Sequence, residues 1–505
     1  MKRIASRSRC INNYSLIRQP ENGFQAALGR VMSNFAFFSG CIKRALCGAS
    51  AVLLSACSLV AYQPTKTIDR VRKDEGYRLE QSIQRSNQDN TLVIMMFSGG
   101  GTRAAALAYG VLAAFNDYPM MLNGRRTTLT ASSDVVFGVS GGSVLAAYYA
   151  MHGEQVIPRF EERFLKQNFQ RLMFKQALSF SNMPRLASPE YGRGDLLQEQ
   201  FENTLFGNMT FGDLNKYRKG PFAVISATDM ASGQRIDFTQ ENFDQFCLNL
   251  SDLRVARAVA SSSAVPVIFS PLTLNNNSGN CGYTVPARFQ AALDHDADAL
   301  QQKTRREMLH NAYYADSKAR PFLHLVDGGL TDNLGLRSLL DRQEIYPNSS
   351  LQAMLEAKNI NRVIVVSVNA QNQISETISQ QAKIPSFRDM INATIDVPIA
   401  RASQESLRQF RAMVDAWNAS QKDADKPIRM HFVSLSLHDL PPSSLRTRAL
   451  NIPTTYYLPR ESINDLKEAA KILVKQSPEF QQLRQEAGQP ETPQAAAAAQ
   501  QENIH

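Results

Sequence analysis

The residues with the clearest capacity for chemistry sit in three glycine-flanked strings. The first is GVSGG, Gly138 to Gly142, which follows the apolar run DVVFGV and precedes SVLAAYYAM. A serine between glycines, at a strand-to-helix turn, has the pattern of a nucleophile elbow. Small neighbours relieve crowding in the turn. The turn exposes Ser140 Oγ at a helix N-terminus, where free backbone N–H groups face developing negative charge. The competing reading is a structural glycine-rich turn.

The second string is SGGGTRA, Ser98 to Ala104, which follows the continuous apolar run TLVIMMF. Consecutive glycines let backbone amides approach a reacting group without side-chain obstruction. No Gly-Lys-Ser/Thr follows, so this is not a phosphate-binding P-loop. Ala104 stands where a dinucleotide fingerprint needs its third glycine. Beside a serine elbow, the fitting role is an oxyanion hole, with Gly100 and Gly101 as the expected donors. Arg103 either holds this loop, binds a phosphate, or forms a structural ion pair. The third string is DGGLTDN, Asp327 to Asn333, after FLHLV. Asp327 at a strand end is placed to act as a general base toward Ser140. Alternatively it is a turn residue, although Asp332 is the more natural helix cap. His431 and His438 flank RMHFVSLSL and keep open a Ser-Asp-His triad. No Cys/His cluster has the spacing of metal ligands.

These residues need a scaffold. Short apolar runs at 91–97, 134–142, 221–230, 234–240, 322–326, 362–370 and 429–437 read as strands. Helical stretches lie between them, including 385–418 and 461–486. The alternation predicts an α/β fold of three layers, α/β/α, with a mostly parallel central sheet and a helical cap over 155–210. The expected division is a leader at 1–56, a tether at 57–90, a core at 91–345 and an α/β extension at 346–487. A Gln/Ala/Pro-rich tail at 488–505 is expected to be disordered. Residues 272–320 interrupt the pattern and read as an insertion near the carboxyl edge of the sheet.

In this order, the three strings resemble the patatin-like phospholipase family over roughly 90–345. The segment ARAVASSSAVPVIFSPL (256–272) is similar to that family's helix-then-proline stretch. SGGGTRA looks closer to the loop of the related cytosolic phospholipases. The resemblance implies a Ser–Asp dyad without histidine: Ser140 as nucleophile, Asp327 as base, and Gly99, Gly100 and Gly101 as the oxyanion loop. It further implies hydrolysis of acyl esters in membrane lipids, with no cofactor.

The chain has 505 residues, 55 Lys+Arg against 46 Asp+Glu, and 43% hydrophobic residues. That is enough to build a substantial core and excludes wholesale disorder. The positive balance is concentrated at the start: residues 1–56 hold eight basic side chains and one acid, Glu21. The remaining 47 basic and 45 acidic residues nearly cancel, so nucleic-acid binding is not indicated. Lys43 and Arg44, then ALCGASAVLLSA, then Cys57, have the order of an export signal. Leu54-Ser55-Ala56-Cys57 resembles the bacterial lipobox, which implies acylation of Cys57, a membrane-anchored exported lipoprotein, and a start at either Met1 or Met32. Ser58 is of the type found in lipoproteins sent to the outer membrane. Outside the leader and Cys57, the cysteines are Cys247 and Cys281. They either pair in an oxidising compartment or remain buried thiols.

Overall fold

The computed structural model describes residues 60–85, 90–122, 124–284, 313–345, 348–372, 382 and 384–488. The expected leader, Cys57 and most of the Gln/Ala/Pro-rich tail lie outside the described residues.

Among the described residues the fold is organised on an eight-stranded mixed sheet, in the order β10-β9-β1-β4-β5-β8-β7, with β6 paired to β5. Its strands are β1 (Thr91–Phe97), β4 (Val135–Val139), β5 (Phe222–Asp229), β6 (Arg235–Asp237), β7 (Leu272–Asn275), β8 (Phe322–Val326), β9 (Arg362–Asn369) and β10 (Arg429–Ser436). A small hairpin joins β2 (Met120–Leu122) to β3 (Arg125–Thr127). The central strands pair in parallel: β10 with β9, β9 with β1, β1 with β4 and β4 with β5. Continuous apolar runs such as TLVIMMF form them because both faces are covered by helices, so no polar alternation is needed. Every residue of β1 is buried.

The flanking helices used below are α1 (Gly101–Phe115), α2 (Gly141–His152), α3 (Arg193–Phe201), α4 (Val255–Ser262), α5 (Phe387–Ser420), α6 (Arg460–Gln476) and α7 (Pro478–Ala487). The connections β1–α1–β4 and β4–α2–β5 step in one direction across the sheet, whereas β9–α5–β10 steps in the other. Right-handed crossovers therefore put α5 on the face opposite α1 and α2, giving three layers. α1 is alanine-rich and buried along almost its whole length. It packs against α6 so closely that a Cβ at Gly110 would lie 2.8 Å from the Ala470 Cβ. On the other face, α5 seats Phe410 against Phe432 of β10 with ring centroids 4.7 Å apart.

Four expectations change. Residues 60–85 are not a tether but a strap laid on the core. Tyr77 is fully buried, stacks on Phe222 at 3.9 Å, and closes a pair of hydrogen bonds with the Ala223 backbone. The buried Arg78–Asp244 ion pair, at 2.8 Å, docks the segment alongside this ring. Residues 272–275, read as the opening of an insertion, are strand β7, antiparallel to β8; the segment 285–312 lies outside the described residues. The helix expected over 461–486 is two helices, α6 and α7, because Pro478 lacks the N–H needed to continue the first. Finally, β8 runs antiparallel to β5, not parallel, which changes how Asp327 reaches the site.

Cys247 and Cys281 are joined by a disulfide, with Cα atoms 5.5 Å apart. It ties the strap's neighbourhood to the base of the 272–320 segment: Ile68 N–H donates to the Cys247 carbonyl and Val71 N–H to that of Cys281.

Candidate active site

Parallel strands deliver their following loops to one edge of the sheet, and open α/β sheets bind ligands there. β1 delivers the Ser98–Gly101 loop and β4 delivers Ser140. These strands are adjacent, with Phe97 opposite Gly138, so the two loops meet. Their contact explains the glycines. A Cβ on Gly141 would fall 1.9 Å from the Gly101 carbonyl oxygen, and one on Gly142 would fall 2.4 Å from that of Phe97. No other residue type fits there.

Ser140 holds a backbone conformation rare for a side-chain-bearing residue, φ 50° and ψ −123°. The surrounding hydrogen bonds hold it there. Its N–H donates to Ser262 Oγ at 2.8 Å, and Ser262 in turn donates to the Ser226 carbonyl at 2.6 Å. Its carbonyl accepts from both the N–H and the hydroxyl of Ser143. The Ser140 side chain does not cap its own helix, so Oγ is free to face the cleft.

Asp327 arrives from the opposite direction. β5 extends beyond the end of β4, because Val139 is level with Ser226 while β5 continues to Asp229. β8 pairs antiparallel with that overhang and descends to Val326, level with Thr228. Asp327 is thereby lowered to the carboxyl edge beside Ser140. Ser140 Oγ donates to Asp327 Oδ2 at 2.7 Å, and Gly329 N–H donates to Oδ1 at 2.8 Å. The Asp327 backbone is fixed as well: its N–H donates to the Ala264 carbonyl and its own carbonyl accepts the Thr228 hydroxyl. Burial raises the Asp327 carboxyl to about 6, against the smaller opposing effects of the Ser140 and Gly329 hydrogen bonds. A carboxylate poised near neutrality is suited to accept a proton from a bound hydroxyl.

The three glycines of the loop are not equivalent. Gly99 N–H donates to the Asn333 carbonyl at 2.9 Å, so Gly99 is not a donor to a ligand; its absent side chain makes room for the Asn333 amide instead. Gly100 adopts φ 134° and Gly101 φ 59°, both in the region that favours glycine, as the chain turns into α1. Their amides stand at the start of α1 and carry none of its internal hydrogen bonds. Arg103 is buried. Its guanidinium donates to the carbonyls of Ala370 and Ile452, both at 2.7 Å, and to Asn372 Oδ1. Of its expected roles, the loop-holding one is observed: it pins the start of α1 to the end of β9 and to the segment that leads into α6. Burial lowers it to about 10, which still leaves it a cation at neutral pH.

These residues line a cleft of about 90 Å³ that opens to solvent. Gly100, Arg103, Ser140 and Asp327 form its floor; Val265, Pro266, Leu330, Ile395 and Ile399 supply apolar walls. Among the described residues, no histidine lines it. His431 lies on β10 opposite Ile364, which is level with Val93 near the start of β1, at the far end of the sheet from Ser140. His438 is exposed beyond β10. Asp332 does act as a cap, accepting Arg337 N–H at 2.8 Å at the start of the helix Arg337–Ile345. Among the described residues, no group of His, Cys, Asp and Glu could hold a metal ion.

Sequence reasoning missed Ser262, Asn333 and the isoleucine wall. The serine run 261–263 closing an apolar helix was a faint signal for Ser262, and Asn333 stood unassigned inside DGGLTDN. Ile395 and Ile399 carried no signal, since a helix far along the chain swings them over the cleft.

Residues 95–340 match the family model described as Patatin-like phospholipase. An uncharacterized Bacillus subtilis (strain 168) protein, YqhO, is 29% identical over 194 residues, covering 36% of this chain and 59% of its own length. Among solved structures, the human GIVD cytosolic phospholipase A2 is similar at 11% identity and a TM-score of 0.43, over 82% of this chain and 68% of that one. The same enzyme in complex with methyl γ-linolenyl fluorophosphonate gives 11% identity and a TM-score of 0.40, over 84% and 66%. Residues 95–340 of the chain thus form a patatin-like phospholipase domain.

Proposed function

We propose that the chain is a serine lipid acyl hydrolase that works through a Ser140–Asp327 dyad. The observation that carries this reading is the direct 2.7 Å hydrogen bond from Ser140 Oγ to a buried carboxylate, beside the amides of Gly100 and Gly101. Ser140 Oγ attacks the ester carbonyl carbon while its proton passes to Asp327 Oδ2. The tetrahedral oxyanion accepts hydrogen bonds from Gly100 and Gly101, each worth about 3 kcal/mol in such sites. The intermediate collapses, the C–O bond breaks, and the departing alkoxide takes the proton from Asp327. Water then attacks the acyl-serine, again losing a proton to Asp327, which returns it to Ser140 Oγ as the fatty acid leaves.

The apolar cleft wall of Val265, Pro266, Leu330, Ile395 and Ile399 suits an acyl chain. Membrane phospholipids or lysophospholipids are the substrate class we assign. We also propose that Cys57 carries lipid and anchors the exported protein at a membrane of the cell envelope, the outer membrane being favoured by Ser58.

Labelling with a fluorophosphonate probe tests the nucleophile: wild type should label, and Ser140→Ala should not. Mass spectrometry of products from mixed bacterial lipids should then show free fatty acid from wild type and none from Asp327→Asn. Absence of label on well-folded wild-type protein would leave a non-catalytic lipid-binding protein.

A further inference from the structure

The described chain opens at Val60, and its first residues are fastened beside Ser188 and Glu190, with Tyr62 Oη also donating to Asn275 Oδ1 at 3.2 Å. The Val60 carbonyl accepts the Ser188 hydroxyl at 2.7 Å, and Tyr62 N–H donates to Glu190 Oε2 at 2.6 Å. Cys57 precedes Val60 by three residues in sequence. Directly before Ser188 in sequence stand two cap helices, Phe169–Ala177 and Met183–Leu186. This segment concentrates exposed apolar side chains: Phe174 is 62% exposed, Leu178 74%, Phe180 95% and Met183 57%.

The pattern is ordered. Arg171, Phe174, Lys175 and Leu178 follow the i, i+3, i+4, i+7 spacing of one helical stripe and are all exposed. Phe169 on the opposite side is buried. The segment is also held firmly. Arg185 pairs with Glu199 of α3 and lies over the Tyr191 ring at 4.3 Å, and Gln176 Nε2 donates to Glu199 at 3.2 Å. α3 in turn grips the lip of the cleft: Arg193 donates to the Val267 carbonyl and Gly194 N–H to Ser270 Oγ, both at 2.9 Å. Val267 and Ile268 on that lip are themselves more than half exposed, next to the cleft residues Val265 and Pro266.

We propose that Phe174, Leu178, Phe180 and Met183, with Arg171 and Lys175, form a membrane-contacting face that docks on the anionic bilayer carrying the chain's own anchor. The apolar side chains enter the acyl region and the two cations meet headgroup phosphates. The position of Val60 and the interleaved cations select this occupant. A two-fold contact between copies would instead bring the four cations of two stripes together. The proposal rests on the lipid-hydrolase reading and deepens it, since α3 links the docked face to the cleft lip.

The test uses the full chain with Cys57→Ala, so that an acyl anchor does not mask weaker adsorption. Co-sedimentation with vesicles of phosphatidylethanolamine and phosphatidylglycerol (3:1) is compared with Phe174→Ser/Leu178→Ser/Phe180→Ser and with Arg171→Glu/Lys175→Glu added. Partitioning is expected to fall at least about tenfold in the apolar triple variant, and several-fold in the charge-reversal variant with loss of its salt dependence. Turnover of a water-soluble short-chain ester should stay unchanged, showing an intact fold and site. Equal partitioning of parent and triple variant overturns the proposal, as does a change from oligomer to monomer without vesicle binding by the parent. If no form hydrolyses the ester yet partitioning behaves as expected, the face stands and the hydrolase reading fails.

Discussion

Ser140 and Asp327, separated by 187 residues in sequence, are joined by a single 2.7 Å hydrogen bond from hydroxyl to carboxylate. No imidazole stands between them. Two strands of opposite direction make the meeting possible: β4 rises to present the serine, and β8 descends against the overhang of β5 to present the aspartate.

The raised Asp327 carboxyl sets a pH dependence. As the proposed base, Asp327 must be ionised, so kcat/KM for a soluble ester should increase with pH, reach half its plateau near pH 6, and level off by about pH 7–8. A pH profile that remains flat down to pH 4.5 would remove Asp327 from the proton-transfer role.

The same burial costs stability. The folded value of about 6 exceeds the ordinary 3.8, so the folded state holds this proton more tightly than the unfolded chain does. The group's favourable contribution is full below pH 3.8, declines between 3.8 and about 6, and leaves a deficit of about 3 kcal/mol above that. Asp327→Asn, which keeps the shape without the charge, should therefore abolish turnover by at least about a thousandfold while raising stability at pH 8 by on the order of 1–3 kcal/mol. Chemical denaturation of the two proteins at pH 8 measures this; a less stable Asn variant would contradict it.

Gly141 should be intolerant of any side chain. Its Cβ would collide with the Gly101 carbonyl at 1.9 Å, pushing apart the serine turn and the proposed oxyanion loop. Gly141→Ala is expected to lower kcat by at least about a hundredfold, the size of losing an oxyanion donor. Gly124→Ala is the control for backbone strain away from the cleft, since its Cβ position is open but its φ of 74° disfavours a side chain. Single-turnover acylation rates compare them, and near-wild-type acylation by Gly141→Ala would refute the contact.

His431→Ala with His438→Ala should leave ester turnover within about twofold of wild type, because neither ring lines the cleft. Loss of acyl-enzyme formation in that double variant would restore the triad.

Reduction of the Cys247–Cys281 disulfide releases a loop with 34 residues of sequence separation. Closing a loop of that length stabilises by about 3–4 kcal/mol in the chain-entropy treatment. Melting with and without a reductant should show a clear fall in Tm. The variant Cys247→Ser/Cys281→Ser should keep kcat on a soluble ester below its lowered Tm, since neither cysteine lines the cleft.

Much of this molecule was legible before any coordinates. The strands at 91–97 and 322–326 coincide with β1 and β8, and the two glycine strings fall at the ends of parallel strands as their patterns required. Those signals are local: apolar runs make buried strands, and glycines cluster where backbones must touch. Other features depended on distant partners. Tyr77 turns a polar stretch into a docked strap only because Phe222 and the Ala223 backbone receive it. Gly99 looks like its neighbours in sequence, yet the Asn333 carbonyl takes its amide.

By itself, then, the sequence determined which residues could act and on what kind of turn each would sit, because turn geometry and strand burial are written in neighbouring residue types. Tertiary structure alone decided that β8 runs antiparallel, that Ile395 and Ile399 wall the cleft, and that burial lifts the Asp327 carboxyl toward neutrality. Strand direction, cleft walls and desolvation are set by groups hundreds of residues apart, and no local pattern encodes which of them will meet.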